Sequence, residues 1–232
     1  PHLDQLYTES LRLLDFHVDP VCTPTRAALL TGRYSIRTGA WRTGAGRSLL
    51  RQDEVTIADV FAAAGYRTGM FGKWHLGDPA RGAYDVMPTY ERHGRGGRGR
   101  SGWGHYYTVD EKKVYQTEIL TKDTIDFIKQ SEQPFYATVS FYPPHPPYSV
   151  PPHYEAMYAS LYPDDENRRK YYAMCTAIDD AVGRLLDALE DQSLTQNTLV
   201  IFTSDNGPEG KKEGPGSPGT TGGLRGRKRS LF

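Results

Sequence analysis

Three short apolar runs, each preceded by a stretch of helical periodicity, constrain the fold of this chain more than any other feature. The runs cover residues 66–71, 134–141 and 197–203 and contain aromatic and β-branched side chains. Apolar runs of this length between turn signals are typical of buried strands. The helical stretches before them cover residues 56–64, 115–130 and 165–191. This alternation predicts an α/β fold with a mostly parallel central sheet and helices on both of its faces.

Each apolar run leads into a polar motif. GKWHLG occupies residues 72–77, PPHPPY residues 143–148 and SDNG residues 204–207. Because ligands bind at the carboxyl ends of the strands in open α/β sheets, the three motifs are expected to converge on one crevice. Each also has a structural interpretation: a strand end carrying Lys73 and His75, a proline-held loop around His145, and an ordinary turn.

Cys22 stands at the start of a predicted helix. The segment CTPTR at residues 22–26 is followed by AALLTGRY, a helical pattern that Gly32 ends. Cys22 is therefore either a buried structural thiol at a helix N-terminus or a functional group. The only other cysteine, Cys175, lies in an apolar helical stretch and is predicted to be a small buried side chain.

The charge balance narrows the classes of function. The chain has 28 basic and 28 acidic residues, and a formal net charge of zero offers no overall attraction to nucleic acid or an anionic membrane. Anion binding must then depend on local clusters of Lys and Arg. No apolar run approaches the roughly 18 residues of a membrane helix, so no membrane span is predicted.

A Gly/Arg-rich segment at residues 93–104, HGRGGRGRSGWG, cannot form a packed core and is predicted to be a loop. It is similar to RGG tracts that bind RNA, which provides an alternative function of another class. The stretch is short and lies in a neutral chain. We therefore favour a loop beside a substrate and expect no nucleic-acid partner.

The motifs together resemble the signatures of the sulfatase family. CTPTRAALLTGR matches the first signature without a gap, and GYRTGMFGKWHLG is similar to the second. PPHPPY, SDNG and the LRGRK of residues 224–228 resemble three further family segments, in the family's order. The resemblance implies an alkaline-phosphatase-like fold, with residues 1–232 as an incomplete part of the N-terminal catalytic domain. The ends PHLDQL and RKRSLF are accordingly expected to be cuts inside a longer gene.

The resemblance implies a nucleophile made from Cys22. In the family this cysteine is converted by the formylglycine-generating enzyme to formylglycine (3-oxoalanine). One hydroxyl of the hydrated aldehyde attacks sulfur, and deprotonation of the other expels sulfate. His75 would take that proton, and Arg26, near the helix N-terminus, would help to hold the anions.

The resemblance also implies the groups that bind and protonate the ester. Lys73 would bind a sulfate oxygen, and Lys228 would be a second sulfate-binding cation near the leaving-group oxygen. His145 would be the general acid for the leaving alcohol, a task that suits histidine because its ordinary pKa is near neutral.

Asp205 and Asn206 are implied as ligands of one divalent cation, most often Ca²⁺. Carboxylate and amide oxygens are the ligands that hard cations prefer. Two ligands are too few for Ca²⁺, which takes about six to eight oxygens. The family's other ligands include an Asp pair that would precede PHLDQL.

The function expected from this resemblance is that of a sulfuric ester hydrolase, which cleaves a sulfate monoester to an alcohol and sulfate. Its substrate would be a small-molecule or carbohydrate sulfate ester, and a periplasmic or secreted location is expected. Two alternatives stay open: a phosphonate or phosphate ester hydrolase of the same superfamily, and an inactive fragment.

Overall fold

The computed structural model of the protein describes residues 1–43, 49–77, 84–86, 105–109, 112–209 and 218–230, and the Gly/Arg-rich segment 93–104 lies outside them. The described helices are α1 His2–Glu9, α2 Cys22–Thr31, α3 Ile57–Ala63, α4 Gln116–Lys129, α5 Pro152–Ala156 and α6 Glu166–Asp191. The described strands are β1 Arg67–Gly72, β2 Tyr106–Val109, β3 Lys112–Tyr115 and β4 Phe135–Ser140. The structure confirms the predicted helices at 56–64, 115–130 and 165–191 to within one residue at each end. It confirms the predicted strands at 66–71 and 134–141 equally closely.

Local interactions explain where helix α3 begins and where helix α2 ends. Helix α3 starts with a capping box, in which the Thr56 hydroxyl accepts from the Asp59 N–H and the Asp59 carboxylate accepts from the Thr56 N–H. Helix α2 ends at Gly32, whose φ of 65° is in the left-handed region and whose N–H donates to the carbonyl of Ala28.

Strands β1 and β4 form the parallel pair at the centre of the fold. Arg67 lies opposite Phe135, and Gly72 lies opposite Ser140. Val86 adds an isolated parallel bridge to β1, while β2 and β3 form a separate antiparallel pair. The prediction of a parallel sheet is therefore confirmed.

Helices cover both faces of this pair. Successive side chains of a strand point to opposite faces. Phe71 of β1 packs against Leu120 and Phe127 of α4 on one face. The preceding residue, Met70, belongs to a second buried cluster that includes Leu30 of α2. The predicted helical cover on both faces is therefore also confirmed.

The longest helix, α6, supports the chain just beyond PPHPPY. Its residues Ala173, Met174 and Ala177 form a buried cluster with Val150 and Tyr154. None of the described helices, α6 included, combines the length and the apolar character needed to cross a membrane.

The predicted buried strand at residues 197–203 is wrong. The turn Thr195–Asn197 is a short 3₁₀ helix, and residues 198–203 form neither helix nor strand. Leu199 and Ile201 are 85% and 75% exposed. A strand needs a neighbour to pair with its backbone N–H and C=O groups. Within the described residues no strand pairs with this run, so its apolar pattern alone does not produce a strand.

Gly72 generates a stability prediction, because β1 passes very close to β4 at this residue. Its φ is 105°, and a Cβ added there would lie 2.2 Å from the carbonyl oxygen of Ser140. Gly65 also has a positive φ, of 82°, but a Cβ there would meet nothing within 4 Å. Gly65→Ala should therefore lose about 1 kcal/mol from backbone strain alone. Gly72→Ala should lose a further 1–3 kcal/mol, roughly the cost of overpacking.

The measurement is the free energy of unfolding from urea denaturation of both variants and the unchanged protein. Equal losses in the two variants would contradict the close approach of β1 and β4 at Gly72.

Candidate active site

Cys22 is the first residue of α2 and its side chain points into the protein, with the residue only 2% exposed. Val21 precedes it in an extended conformation. The helix then places unpaired N–H groups and the positive end of its dipole around the thiol. Thr23, in the same turn, donates its hydroxyl hydrogen to the carbonyl oxygen of His75 at 3.2 Å. The first turn of α2 is thus tied directly to the GKWHLG segment.

His75 and Thr43 contact the sulfur of Cys22. The Nδ1 atom of His75 lies 3.3 Å from Sγ, and the Thr43 hydroxyl lies 3.8 Å from it. His75 adopts a φ of 61°, a conformation that few non-glycine residues take, and so its ring is held by a specific turn. Burial raises the pKa of Cys22, but the hydrogen bond to His75 and the charge of Lys73 together outweigh it and lower this pKa to about 6.

Arg26, one turn along α2, joins three of the predicted motifs. Its Nε and Nη2 atoms donate to Oδ2 of Asp205 at 3.0 and 2.8 Å. Its Nη1 atom donates to the carbonyl oxygen of Lys73 at 2.8 Å and to the Ser140 hydroxyl at 3.0 Å. One guanidinium therefore fixes the ends of β1 and β4 and the SDNG turn relative to Cys22.

Lys73 and Asp205 face each other in the same buried region. The Lys73 Nζ lies 3.9 Å from Oδ2 of Asp205. Burial, and secondarily the charge of Arg26, lowers the pKa of Lys73. Burial raises the pKa of Asp205, but the charges of Arg26 and Lys73 outweigh this effect and lower it overall. The Asp205 carboxylate is thus held in its charged form.

The oxygens of Asp205 and Asn206 fit a divalent cation. The Asn206 Oδ1 atom is buried and has no hydrogen-bond partner among the described residues, while its Nδ2 donates to the carbonyl of Gly207. Among the described residues, the hydrogen bonds that Arg26 donates to Asp205 go to Oδ2 and leave Oδ1 available. One carboxylate oxygen and one amide oxygen next to each other in the chain are suitable ligands for a hard cation.

His145 and Lys228 form the other side of the site. Nδ1 of His145 lies 2.6 Å from the Pro146 carbonyl oxygen, which can only accept, so Nδ1 carries the ring proton. Nε2 then accepts a hydrogen bond from the Lys228 ammonium at 2.9 Å. Burial, with the charges of Lys228 and Lys73 adding to it, lowers the pKa of His145 to about 4. The imidazole is therefore neutral near pH 7, and the available proton resides on Lys228.

All eight residues predicted for the site lie in this region. The charge of Lys228 acts on Lys73, Asp205 and His145, which links the two sides of the site. Their roles in a reaction stay predictions. Motif reasoning missed several contacting residues, because none belongs to a short recognisable pattern: Thr43, Ser140, His105 and Glu209, whose Oε2 lies 2.8 Å from the Lys228 Nζ.

Comparison with known proteins finds similarity to sulfatases in both the family model and the individual relatives. The sequence model of the family described as Sulfatase matches residues 1–229. An "Ulvan-active sulfatase" of Formosa agariphila is 35% identical over 89% of this chain and 45% of its own length. "Arylsulfatase A" of Homo sapiens is 31% identical over 90% of this chain and 47% of its own length. The chain thus spans about half the length of these relatives.

Solved structures agree on the fold. The structure of Ps i-CgsB in complex with k-i-k-neocarrahexaose superposes with a TM-score of 0.77 at 24% identity, over 98% of this chain and 56% of that one. The phosphonate monoester hydrolase of Agrobacterium radiobacter superposes with a TM-score of 0.53 at 22% identity, over 80% of this chain and 53% of that one. At these identities the likeness concerns the fold alone.

The surroundings of the two cysteines predict different pKa values for their thiols. The prediction applies to the protein in which Cys22 is still a cysteine. Cys22 should ionise near pH 6, because His75 and Lys73 favour its thiolate. Burial raises the pKa of Cys175 to about 11, so that it should stay protonated at neutral pH. The thiolate's ultraviolet absorbance, followed against pH as a difference from the Cys22→Ala variant, measures the first value without requiring access to the buried sulfur.

His75→Gln should move the Cys22 titration to higher pH, and Cys175→Ala should leave it in place. A Cys22 that titrates no lower than an ordinary thiol would contradict the arrangement of His75 and Lys73 around the sulfur.

Proposed function

The chain belongs to the sulfatase family, and from this premise we propose that it carries the nucleophile and the anion-binding groups of an enzyme that hydrolyses sulfate monoesters to an alcohol and sulfate. The observation that supports the proposal most directly is the contact of Cys22 with His75, beside the buried Lys73 and the partly buried Arg26. Such an arrangement suits a nucleophile that attacks a tetrahedral anion.

The cations bind and orient the sulfate group. The side chain of Lys73 is only 7% exposed and that of Lys228 only 6%. Ammonium groups withdrawn from water interact with an anion more strongly than exposed ones do, and their placement before the reaction avoids a reorganisation cost. Arg26 acts mainly by positioning other groups of the site, since its N–H groups donate to Asp205, Lys73 and Ser140.

His75 is placed to take the proton of the second hydroxyl, whose deprotonation expels sulfate. Conversion of Cys22 to formylglycine would supply a hydrated aldehyde, with one hydroxyl to attack sulfur and another to expel sulfate. The Nδ1 atom of His75 lies 3.3 Å from Sγ, the atom that conversion replaces by oxygen. Of the two described contacts of Sγ, His75 Nδ1 is the shorter, so it is well placed to accept the proton of the second hydroxyl.

Lys228 and His145 form the proton-donating pair for the leaving oxygen. In the structure the transferable proton is on the Lys228 Nζ and the neutral His145 Nε2 accepts from it. A bound sulfate ester brings negative charge close to His145, which raises its pKa and favours transfer of this proton to Nε2. The pair thus keeps a proton within reach of the departing alcohol whichever nitrogen carries it.

Asp205 and Asn206 would hold the divalent cation, for which we propose Ca²⁺. When bound, the cation supplies positive charge that polarises a sulfate oxygen. Arg26 keeps the Asp205 carboxylate oriented through Oδ2 and leaves Oδ1 for the cation.

For the substrate we propose a carbohydrate sulfate ester. Support comes from the relative described as an ulvan-active sulfatase, which shares 35% identity with this chain. Maturation by a formylglycine-generating enzyme, and a location outside the cytoplasm, are further proposals that follow from family membership. A phosphonate ester is the second candidate substrate, because the fold is shared with a phosphonate monoester hydrolase.

The first prediction from this function concerns the conversion of Cys22. Mass spectrometry of the peptide that contains residue 22, from the full protein made in a host that forms formylglycine, should show the thiol replaced by an aldehyde. Cys22→Ala should reduce sulfate ester hydrolysis by at least about 10³-fold, since it removes the nucleophile. Cys175→Ala, the same substitution at the other cysteine, should keep full activity.

Paired aryl sulfate and aryl phosphonate esters decide between the two substrate classes. Faster turnover of the phosphonate would favour the second candidate. A thiol that stays unmodified, with no hydrolysis of either ester, would refute the proposed function and favour an inactive protein.

The second prediction concerns the cation. Asn206→Ala removes an amide oxygen that has no hydrogen-bond partner among the described residues, and Asn206 carries no charge whose loss would break a salt bridge. It should weaken Ca²⁺ binding, measured by calorimetry on the full protein, by at least about 10-fold, because loss of even an outer-shell partner costs that much. Asn206→Asp, which keeps an oxygen at the position, should bind better than the Ala variant.

The matched control for this prediction is Asn197→Ala, at an exposed residue, which should bind Ca²⁺ as the unchanged protein does. Undiminished Ca²⁺ affinity in Asn206→Ala would show that Asn206 is not a ligand.

A further inference from the structure

His105 is a buried histidine that lies beside the site but belongs to none of its motifs. It precedes β2 and is only 2% exposed. Its Nε2 atom lies 2.8 Å from the carbonyl oxygen of His145. Because a carbonyl oxygen only accepts, Nε2 must carry a hydrogen and donate it. The side chain of one histidine therefore holds the backbone of another.

The loop that carries His145 is difficult to hold by ordinary backbone pairing. Residues 142–148 read YPPHPPY, so four of the seven have no backbone N–H. The N–H of His145 is already used within the loop, where it donates to the carbonyl of Tyr142 at 3.0 Å. The backbone of its four prolines can accept hydrogen bonds from outside but cannot donate them, so donors to the carbonyls of the loop become important. His105 is such a donor, and it acts on the residue whose ring faces Lys228.

His105 is itself anchored to the core. Its carbonyl oxygen accepts from the Gln116 N–H at 2.8 Å, at the first residue of α4. Helix α4 packs on the sheet through Leu120 and Phe127. A short path of contacts therefore runs from the sheet through α4 and His105 to the His145 carbonyl.

The surroundings of His105 favour its neutral form. Burial lowers the pKa of His105, against the smaller opposing effect of the carbonyls of His145 and Pro147. A neutral imidazole with its hydrogen on Nε2 donates one hydrogen bond to the His145 carbonyl and adds no positive charge there.

We propose that His105 is a positioning residue for proton transfer to the leaving group: by holding the His145 carbonyl, it keeps Nε2 of His145 within hydrogen-bonding distance of Lys228. This inference rests on the proposed function of the His145 and Lys228 pair. It assigns His105 no contact with the substrate. Its loss should therefore affect the step in which the leaving oxygen is protonated and spare the binding of the sulfate group.

The dependence on the leaving group separates this role from a merely structural one. Alkyl and sugar sulfates need a proton on the departing oxygen, whereas 4-nitrophenyl sulfate releases a stable phenolate without one. In the full, converted protein, His105→Leu should lower kcat/KM for an alkyl or sugar sulfate by about 10–100-fold. For 4-nitrophenyl sulfate the loss should stay within about 3-fold, with KM little changed.

Two further variants test the hydrogen bond itself. His105→Gln can place an amide N–H near the position of Nε2 and should recover most of the lost activity. His153→Leu, at an exposed histidine of α5, is the matched control and should behave as the unchanged protein. If His105→Leu does not fold, His105→Asn, whose shorter amide does not reach the carbonyl, takes its place. Equal losses on both substrates, no loss on either, or no recovery with Gln would overturn the proposal.

A second measurement needs no turnover, so it tests the positioning role even if the proposed function fails. With ¹⁵N-labelled histidine, NMR of the unchanged protein should show His145 as the Nδ1–H tautomer with a pKa of about 4. In His105→Leu the ring should move away from Lys228 and its pKa should rise towards the ordinary value. An unchanged His145 titration in a folded His105→Leu variant would overturn the proposal.

Discussion

The guanidinium of Arg26 is the group on which the rest of the site depends. It binds Asp205 through two nitrogens, and it binds the Lys73 carbonyl and the Ser140 hydroxyl through a third. These partners are far apart in the sequence and come from the ends of β1 and β4 and from the SDNG turn. Because the planar guanidinium presents its donors in a fixed fork, it defines their directions as well as their distances from Cys22. A lysine at this position would supply the charge without this geometry.

The charges of the site, which are buried or partly buried, depend on one another. Withdrawing an isolated ion from water costs several kcal/mol even after the protein relaxes. Asp205 offsets Arg26 and Lys73, and Glu209 offsets Lys228. When residue 22 carries no charge, three cations against two carboxylates leave an excess of positive charge that an anionic ester would neutralise. The same charges that stabilise the folded site therefore also select for an anion.

Much of the fold and of the candidate site could be predicted from the sequence, because helix caps, apolar periodicity and gapless motifs are local properties. The helix that starts at Cys22 and the two paired strands belong to this class. Ser140, Glu209 and His105 could not be predicted, since each matters only through a partner that is remote in the chain. The error at residues 197–203 has the same origin: an apolar run becomes a strand only if another strand lies beside it, and its own composition does not reveal that neighbour.

The exposed run of residues 199–202 has a consequence for the behaviour of the chain in concentrated solution. Its four consecutive side chains are apolar and between 40% and 85% exposed, and their backbone is not part of any described sheet. A segment of this kind is a template on which a second chain can add a strand. The formal net charge of zero provides no long-range repulsion to keep two copies apart. The colloidal stability of this chain by itself therefore depends on this short stretch of surface as well as on the overall charge.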